Sequence, residues 1–232
     1  MTELLAQSGF RMGDINYTVF FCSLFILFLA IGIHEYCHAK FADMAGDPTP
    51  RIYGRVTLNL FNHFDPIGAI MIVVTSLTGF GIGWGRPVPM DPSKMKNPKW
   101  DHFAAVLAGP MSNLVQAVIW AIIFRAVMMT GMATSVPILV ILAVLGTSIN
   151  LSLFFFNLLP LGPLDGMWIL GTFLPDDLRD KWVWWNLKYG SMLFIGLIIF
   201  GQVSRTSIIW MVLGPPVDFL LKLMLGRSLF GG

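Results

Sequence analysis

The chain has 232 residues, of which 56% are hydrophobic and only 12% charged, with a formal net charge of +2. Soluble domains carry about 25% charge, so this composition, with a mean hydropathy of +0.72, excludes an ordinary soluble domain and implies a polytopic membrane protein. The charge balance gives no signal for nucleic acid, and no polar stretch is long enough to build a core of its own. Residues 1–232 therefore read as one membrane-embedded domain.

A helix needs roughly 20 apolar residues to span a bilayer. Residues 1–17 carry Glu3, Arg11 and Asp14 and lack the basic start and short apolar run of a cleavable signal peptide, so the first hydrophobic helix is expected to be retained. That helix runs over about 15–41. Its cysteines, Cys22 and Cys37, would lie about four turns apart, too far for a disulfide. Residues 67–84 are apolar but short and contain Gly68, Gly79, Gly81 and Gly83, so they either span or re-enter. Segments 103–129 and 136–159 predict a helical hairpin about Thr130 and Gly131. Residues 175–188 form a polar connector whose Trp182, Trp184 and Trp185 suit an interfacial belt. Segments 189–203 and 208–225 form a second pair, broken by Ser204, Arg205 and Thr206. The predicted fold is an all-α polytopic membrane protein, a bundle of five to six transmembrane helices with a re-entrant or β-like segment after the first. Its catalytic core covers about 15–170 and its C-terminal helical pair about 186–226.

Chemistry sits inside the first apolar run. Residues 19–33 (VFFCSLFILFLAIGI) lead directly into His34, Glu35, Tyr36, Cys37 and His38. Residues four apart share a helix face, so His34 and His38 can offer two imidazole nitrogens to one metal with Glu35 beside the open position. Ionisable groups are costly in hydrocarbon unless they pair, ligate or face water, which makes their presence a functional signal. A catalytic zinc usually takes three protein ligands. The best third candidate is Asp165 in residues 157–166 (NLLPLGPLDG), where Pro160 and Pro163 stop the helix and Gly162 and Gly166 permit sharp turns. Asp165 and Gly166 can equally form an ordinary interfacial turn.

Taken together these residues resemble the site-2 protease family of intramembrane zinc metalloproteases, in which HExxH lies on one transmembrane helix and an N-x-x-P-x-x-x-x-D-G type motif on a later one. Residues 54–68 (GRVTLNLFNHFDPIG), 83–92 (GWGRPVPMDP) and 108–114 (AGPMSNL) look like the accompanying blocks of a short prokaryotic-type branch without PDZ or CBS domains. Leu60 departs from the proline common there. The resemblance implies that His34, His38 and Asp165 hold one Zn2+ per chain, that Glu35 is the catalytic base, and that Asn157 helps to hold the reacting carbonyl. It also implies a substrate that is itself a single-pass transmembrane protein embedded in lipid.

The residues allow this chemistry on general grounds. Zinc lowers the pKa of bound water to about 7, Glu35 can carry the proton to the leaving amine, and an amide such as Asn157 can donate to a developing oxyanion or merely cap its helix. A helical substrate must unwind before attack, and residues 51–60 (RIYGRVTLNL) offer either an edge strand for it or a plain loop. A polar mouth is expected near residues 39–67. His63 and Asp65 form either a second polar site or a turn, Asn113 suits a hydrogen bond across helices, and Gly109 with Ser112 suits close helix packing. The runner-up readings are a metal-ion transporter and a zinc-binding protein without activity. The first would string polar groups along several helices, and the second would not need Glu35. By the positive-inside rule, Lys40, Arg51, Arg55, Arg86, Lys94, Lys96, Lys99, Arg179, Lys181 and Lys188 place their loops in the cytoplasm. That puts the site nearer the cytoplasmic face of what is expected to be the cell membrane, with the C-terminus, marked by Lys222 and Arg227, on the same side. Oligomeric state is not legible in the sequence.

Overall fold

The computed structural model describes residues 16–78, 83–204 and 206–226. The sequence-based expectations for residues 1–15, Gly79, Gly81, Arg205 and Arg227 lie outside them. The protein is an all-α polytopic membrane protein. Helix α1, Tyr17–Ala45, starts where the Asn16 side chain accepts from the Val19 N–H at 3.1 Å and ends at Gly46, whose φ of 109° suits a residue without Cβ. Its 29 residues measure about 43 Å, longer than a hydrocarbon core of about 30 Å.

Residues 51–60 do not form a strand. Thr49–Ile52 is a single helical turn, α2, because Asp47 accepts from the Thr49 N–H at 2.9 Å and Pro50 fixes φ inside the turn. Beyond it Gly54 adopts φ 66°, and the side chains of Thr57 and Asn59 each accept a backbone N–H two residues on, before a 3-10 turn at Leu60–His63. These side chains satisfy the backbone locally and compete with any ladder. The extended backbone is found instead at residues 83–91, joined to Phe64 by one antiparallel bridge at Gly85 and by Arg86 N–H donating to His63 O at 2.8 Å.

Helix α3, Pro66–Thr78, has 13 residues, about 20 Å, too short to span. Its start is capped by Asp65, which accepts from the Gly68 N–H at 2.9 Å, so Asp65 is a turn residue. The segment doubles back: a methyl added at Gly68 would run into the carbonyl of Trp84, and one at Gly83 into Ile72. Both ends of the 67–84 stretch therefore lie side by side, the arrangement a re-entrant segment requires.

Helices α4 (Pro98–Met129) and α5 (Pro137–Asn157) form the expected hairpin. They share a core with α9 (Ile208–Leu225), in which Ala117, Ala121, Phe124, Ala143, Leu151 and Leu221 are buried. Gly146 is needed there because any Cβ would enter the Trp120 ring. After α5 the chain turns irregularly and restarts as α6, Gly166–Phe173. The polar connector is helical. Helix α7, Asp176–Trp185, carries Asp176 and Asp177 in its first turn, where the helix dipole favours acids, and continues through a π turn at Asn186–Gly190 into α8, Ser191–Ser204. Together, 176–204 make one of five helices among the described residues that are long and apolar enough to cross a membrane.

Candidate metal centre

His34 and His38 lie one turn apart on α1, and both side chains point at the junction of α4 with the turn after α5. Ala45 ends α1 seven residues beyond His38, which sets the pair about 10 Å inside the helix end. The Nε2 atoms of the two imidazoles are 2.9 Å apart, and Asp165 Oδ2 lies 3.2 Å from His34 Nε2 and 3.4 Å from His38 Nε2. Both histidines are buried, Asp165 is half-buried, and these three form the group of potential ligands found among the described residues.

The outer nitrogens show what the inner ones can do. His34 Nδ1 faces Asn113 Oδ1 at 2.7 Å, and His38 Nδ1 faces the Ala105 carbonyl at 2.9 Å. Both partners are acceptors only, so each Nδ1 must carry the proton, and in the neutral ring each Nε2 is then a bare lone pair. Two lone pairs 2.9 Å apart, beside a carboxylate oxygen with no hydrogen-bond donor, repel unless a cation joins them. Ligands at 2.0–2.2 Å around a tetrahedral zinc would be about 3.3–3.6 Å apart, which the Asp165 separations of 3.2 and 3.4 Å approach while the imidazole nitrogens stand closer, at 2.9 Å. Gly109 of α4 completes the cradle, since a Cβ there would meet both imidazoles. The residues present fit a metal of the zinc type.

A cavity of about 450 Å³ opens beside these atoms, lined by Glu35, Asn157, Trp84, Val88, Phe156 and Phe194 among others. Glu35 is half-buried on its wall. Gly85 lets the extended chain pass close, because a Cβ there would lie 3.4 Å from Glu35 Oε1. Asn157, which lines the cavity, ends α5 with its Nδ2 donating to Leu153 O at 3.0 Å, which leaves one amide proton available. The wall facing the metal group comes from residues 83–90, and residues 39–67 do not line it, which moves the mouth away from the place expected. His63 belongs elsewhere: it is fully buried, its Nε2 donates to Thr57 O at 2.9 Å, and burial pushes its imidazole down to the neutral form. His102, missed in the sequence, is buried edge-on to Trp168 at 5.4 Å between ring centroids and stays outside the metal group.

The turn that aims Asp165 is held from α7 and the π turn. Buried Asn186 accepts from the Gly162 N–H at 2.8 Å, Gly190 packs against the backbone of Gly162, and Trp182 Nε1 donates to Met167 O at 2.8 Å. Gly166 is required because a Cβ would strike the carbonyls of Leu158 and Leu159. A π turn where a helix must bend to meet a functional loop is a recurrent device.

Over 200 residues, 85% of its length, the chain is 35% identical to the Bacillus subtilis (strain 168) protein named "Putative zinc metalloprotease YwhC", 88% of which is covered. No family model and no solved structure matches.

Proposed function

Because the chain belongs to the zinc metalloprotease family of its Bacillus subtilis relative, we propose that it is an intramembrane protease of the site-2 type. It hydrolyses peptide bonds within or near the transmembrane helix of single-pass membrane proteins. The observation that carries this reading is the set of three bare ligand atoms, two on apolar α1 with His38 about 10 Å inside its end and the third, Asp165, on the turn that follows apolar α5. His34, His38 and Asp165 hold the metal. Zinc, when bound, supplies a nucleophile at neutral pH and polarises the scissile carbonyl. Glu35 takes the proton of the attacking water and hands it to the leaving amine. Asn157 donates its remaining amide proton to the carbonyl oxygen as charge develops there. The extended chain at 83–90, which forms a wall of the cavity, is placed to pair with a substrate backbone that has left its helix.

The test is co-expression with single-pass membrane proteins, comparing the intact protein with Glu35→Gln. Cleavage within or beside the substrate's span by the former and none by the latter is expected. Cleavage confined to soluble domains would overturn the intramembrane reading.

The same reading carries a topology. Metal ligands near the C-terminal end of α1 and just past α5 put both ends toward one face. Exposed Arg51, Arg86, Lys94, Lys96, Lys181 and Lys188 make that face cytoplasmic, in the cell membrane, with the active site nearer to it. Reporters fused after Arg55 and after Pro92 are both expected to read cytoplasmic. An extracytoplasmic signal after Pro92 would turn the 67–84 stretch into a full span and overturn this orientation.

A further inference from the structure

Three side chains behind the metal group form a directional hydrogen-bond chain across three helices. Asn113 on α4 and Asn150 on α5 are both fully buried. Asn150 stands within apolar α5, where a polar side chain is retained only if it is satisfied. Its Nδ2 donates to the Gly146 carbonyl at 2.9 Å. A carbonyl accepts and cannot donate, so that contact fixes the orientation of the Asn150 amide and leaves Oδ1 facing Asn113. Asn113 must then present its Nδ2, which donates to Asn150 Oδ1 at 3.0 Å and to Ala30 O on α1 at 3.2 Å. Its Oδ1 is thereby turned to His34 Nδ1 at 2.7 Å. The proton of His34 is forced onto Nδ1 and the lone pair of Nε2 onto the metal position.

We propose that Asn150 and Asn113 are positioning residues for the metal, a relay in which the Gly146 carbonyl sets the tautomer and ring orientation of His34. The inference rests on the metalloprotease reading and adds to it a residue, Asn150, that touches neither ligand nor cavity. Either asparagine, if rotated by half a turn about its amide, would set nitrogen against nitrogen or oxygen against oxygen along the whole chain. The relay thus has one satisfied state. Outer partners of ligating histidines typically contribute about 10- to 100-fold to metal affinity. The effect should be largest at Asn113 and carried, attenuated, to Asn150.

The experiment uses the full-length purified holoprotein, with zinc affinity read by competition with a chromophoric chelator and ligand geometry read from the visible bands of the cobalt(II)-substituted form. Asn113→Ala is expected to weaken zinc by about 10- to 100-fold, and Asn150→Leu by about 10-fold with shifted cobalt bands. Asn150→Asp, held neutral by burial, keeps an acceptor toward Asn113 and an O–H donor toward the Gly146 carbonyl, and should lose far less zinc affinity than Asn150→Leu. A packing role would not distinguish the Leu and Asp variants in this way. Wild-type affinity and bands in Asn150→Leu, or equal losses in both Asn150 variants, would overturn the proposal. Where Asn150→Leu does not accumulate, Asn150→Ser decides, because its hydroxyl suits the helix and is too short to reach Asn113. Zinc weakened by about 10-fold supports the relay, and wild-type affinity overturns it. Failure of the parent reading looks different: the unmodified protein would then hold no more zinc than His38→Ala.

Discussion

Glu35→Gln is expected to bind zinc at one per chain, as the unmodified protein does, and to lose turnover by about 100- to 10,000-fold, the usual contribution of a positioned proton carrier. The separation of binding from activity follows from the site. Glu35 lies on the cavity wall and outside the group of converging ligand atoms, whereas His34, His38 and Asp165 supply that group. Glutamine preserves the shape of the side chain and removes its capacity to take a proton. Asp165→Asn and His38→Ala behave oppositely: each leaves two ligands, and metal and activity should fall together. Zinc content by atomic absorption, set beside cleavage of a co-expressed single-pass substrate, reads both quantities. Full zinc occupancy in Asp165→Asn would remove Asp165 from the ligand set.

How much of this was legible beforehand depends on whether a residue acts through its own helix or through another's. The His34 and His38 pair could be read because a separation of four residues fixes a common face on any helix. Asp165 could be read because prolines and glycines announce the turn that aims it. The five spanning helices followed from the length of apolar runs. Residues 175–188 were legible as a polar connector but not as a helix, although Asp176 and Asp177 behind Pro175 are a helix start. Residues 51–60 carry β-forming side chains, yet Asp47, Thr57 and Asn59 close local turns that the propensities of their neighbours do not reveal. Asn150 gave a signal that went unused, an amide in the middle of a largely apolar helix. What no single sequence shows is that α4 meets α1 at the metal group, so Gly109 was legible as a close-packing residue but not as the one that leaves room for both imidazoles.

Gly109→Ala should cost the protein its metal. A methyl at this position would point from α4 into the space where the imidazoles meet, running into His38 and standing 2.8 Å from His34 Nε2. Neither ring can step aside, because Asn113 and the Ala105 carbonyl hold their outer nitrogens. Nor can α4 withdraw freely, since Ala105 is buried against Ala42 of α1. In a helix interior alanine is better than glycine by about 1 kcal/mol, so loss of function could not be laid to a weakened α4. Zinc affinity is expected to fall by about 100-fold or more, the upper end of what disturbing a ligand's support costs, with cleavage lost in parallel. Gly196→Ala on α8 is the control, because a Cβ there meets nothing within 4 Å, and it should retain zinc and activity. Chelator competition on the two variants settles the point: a Gly109→Ala protein that holds zinc as tightly as Gly196→Ala would show that the metal does not sit where the three bare ligand atoms converge.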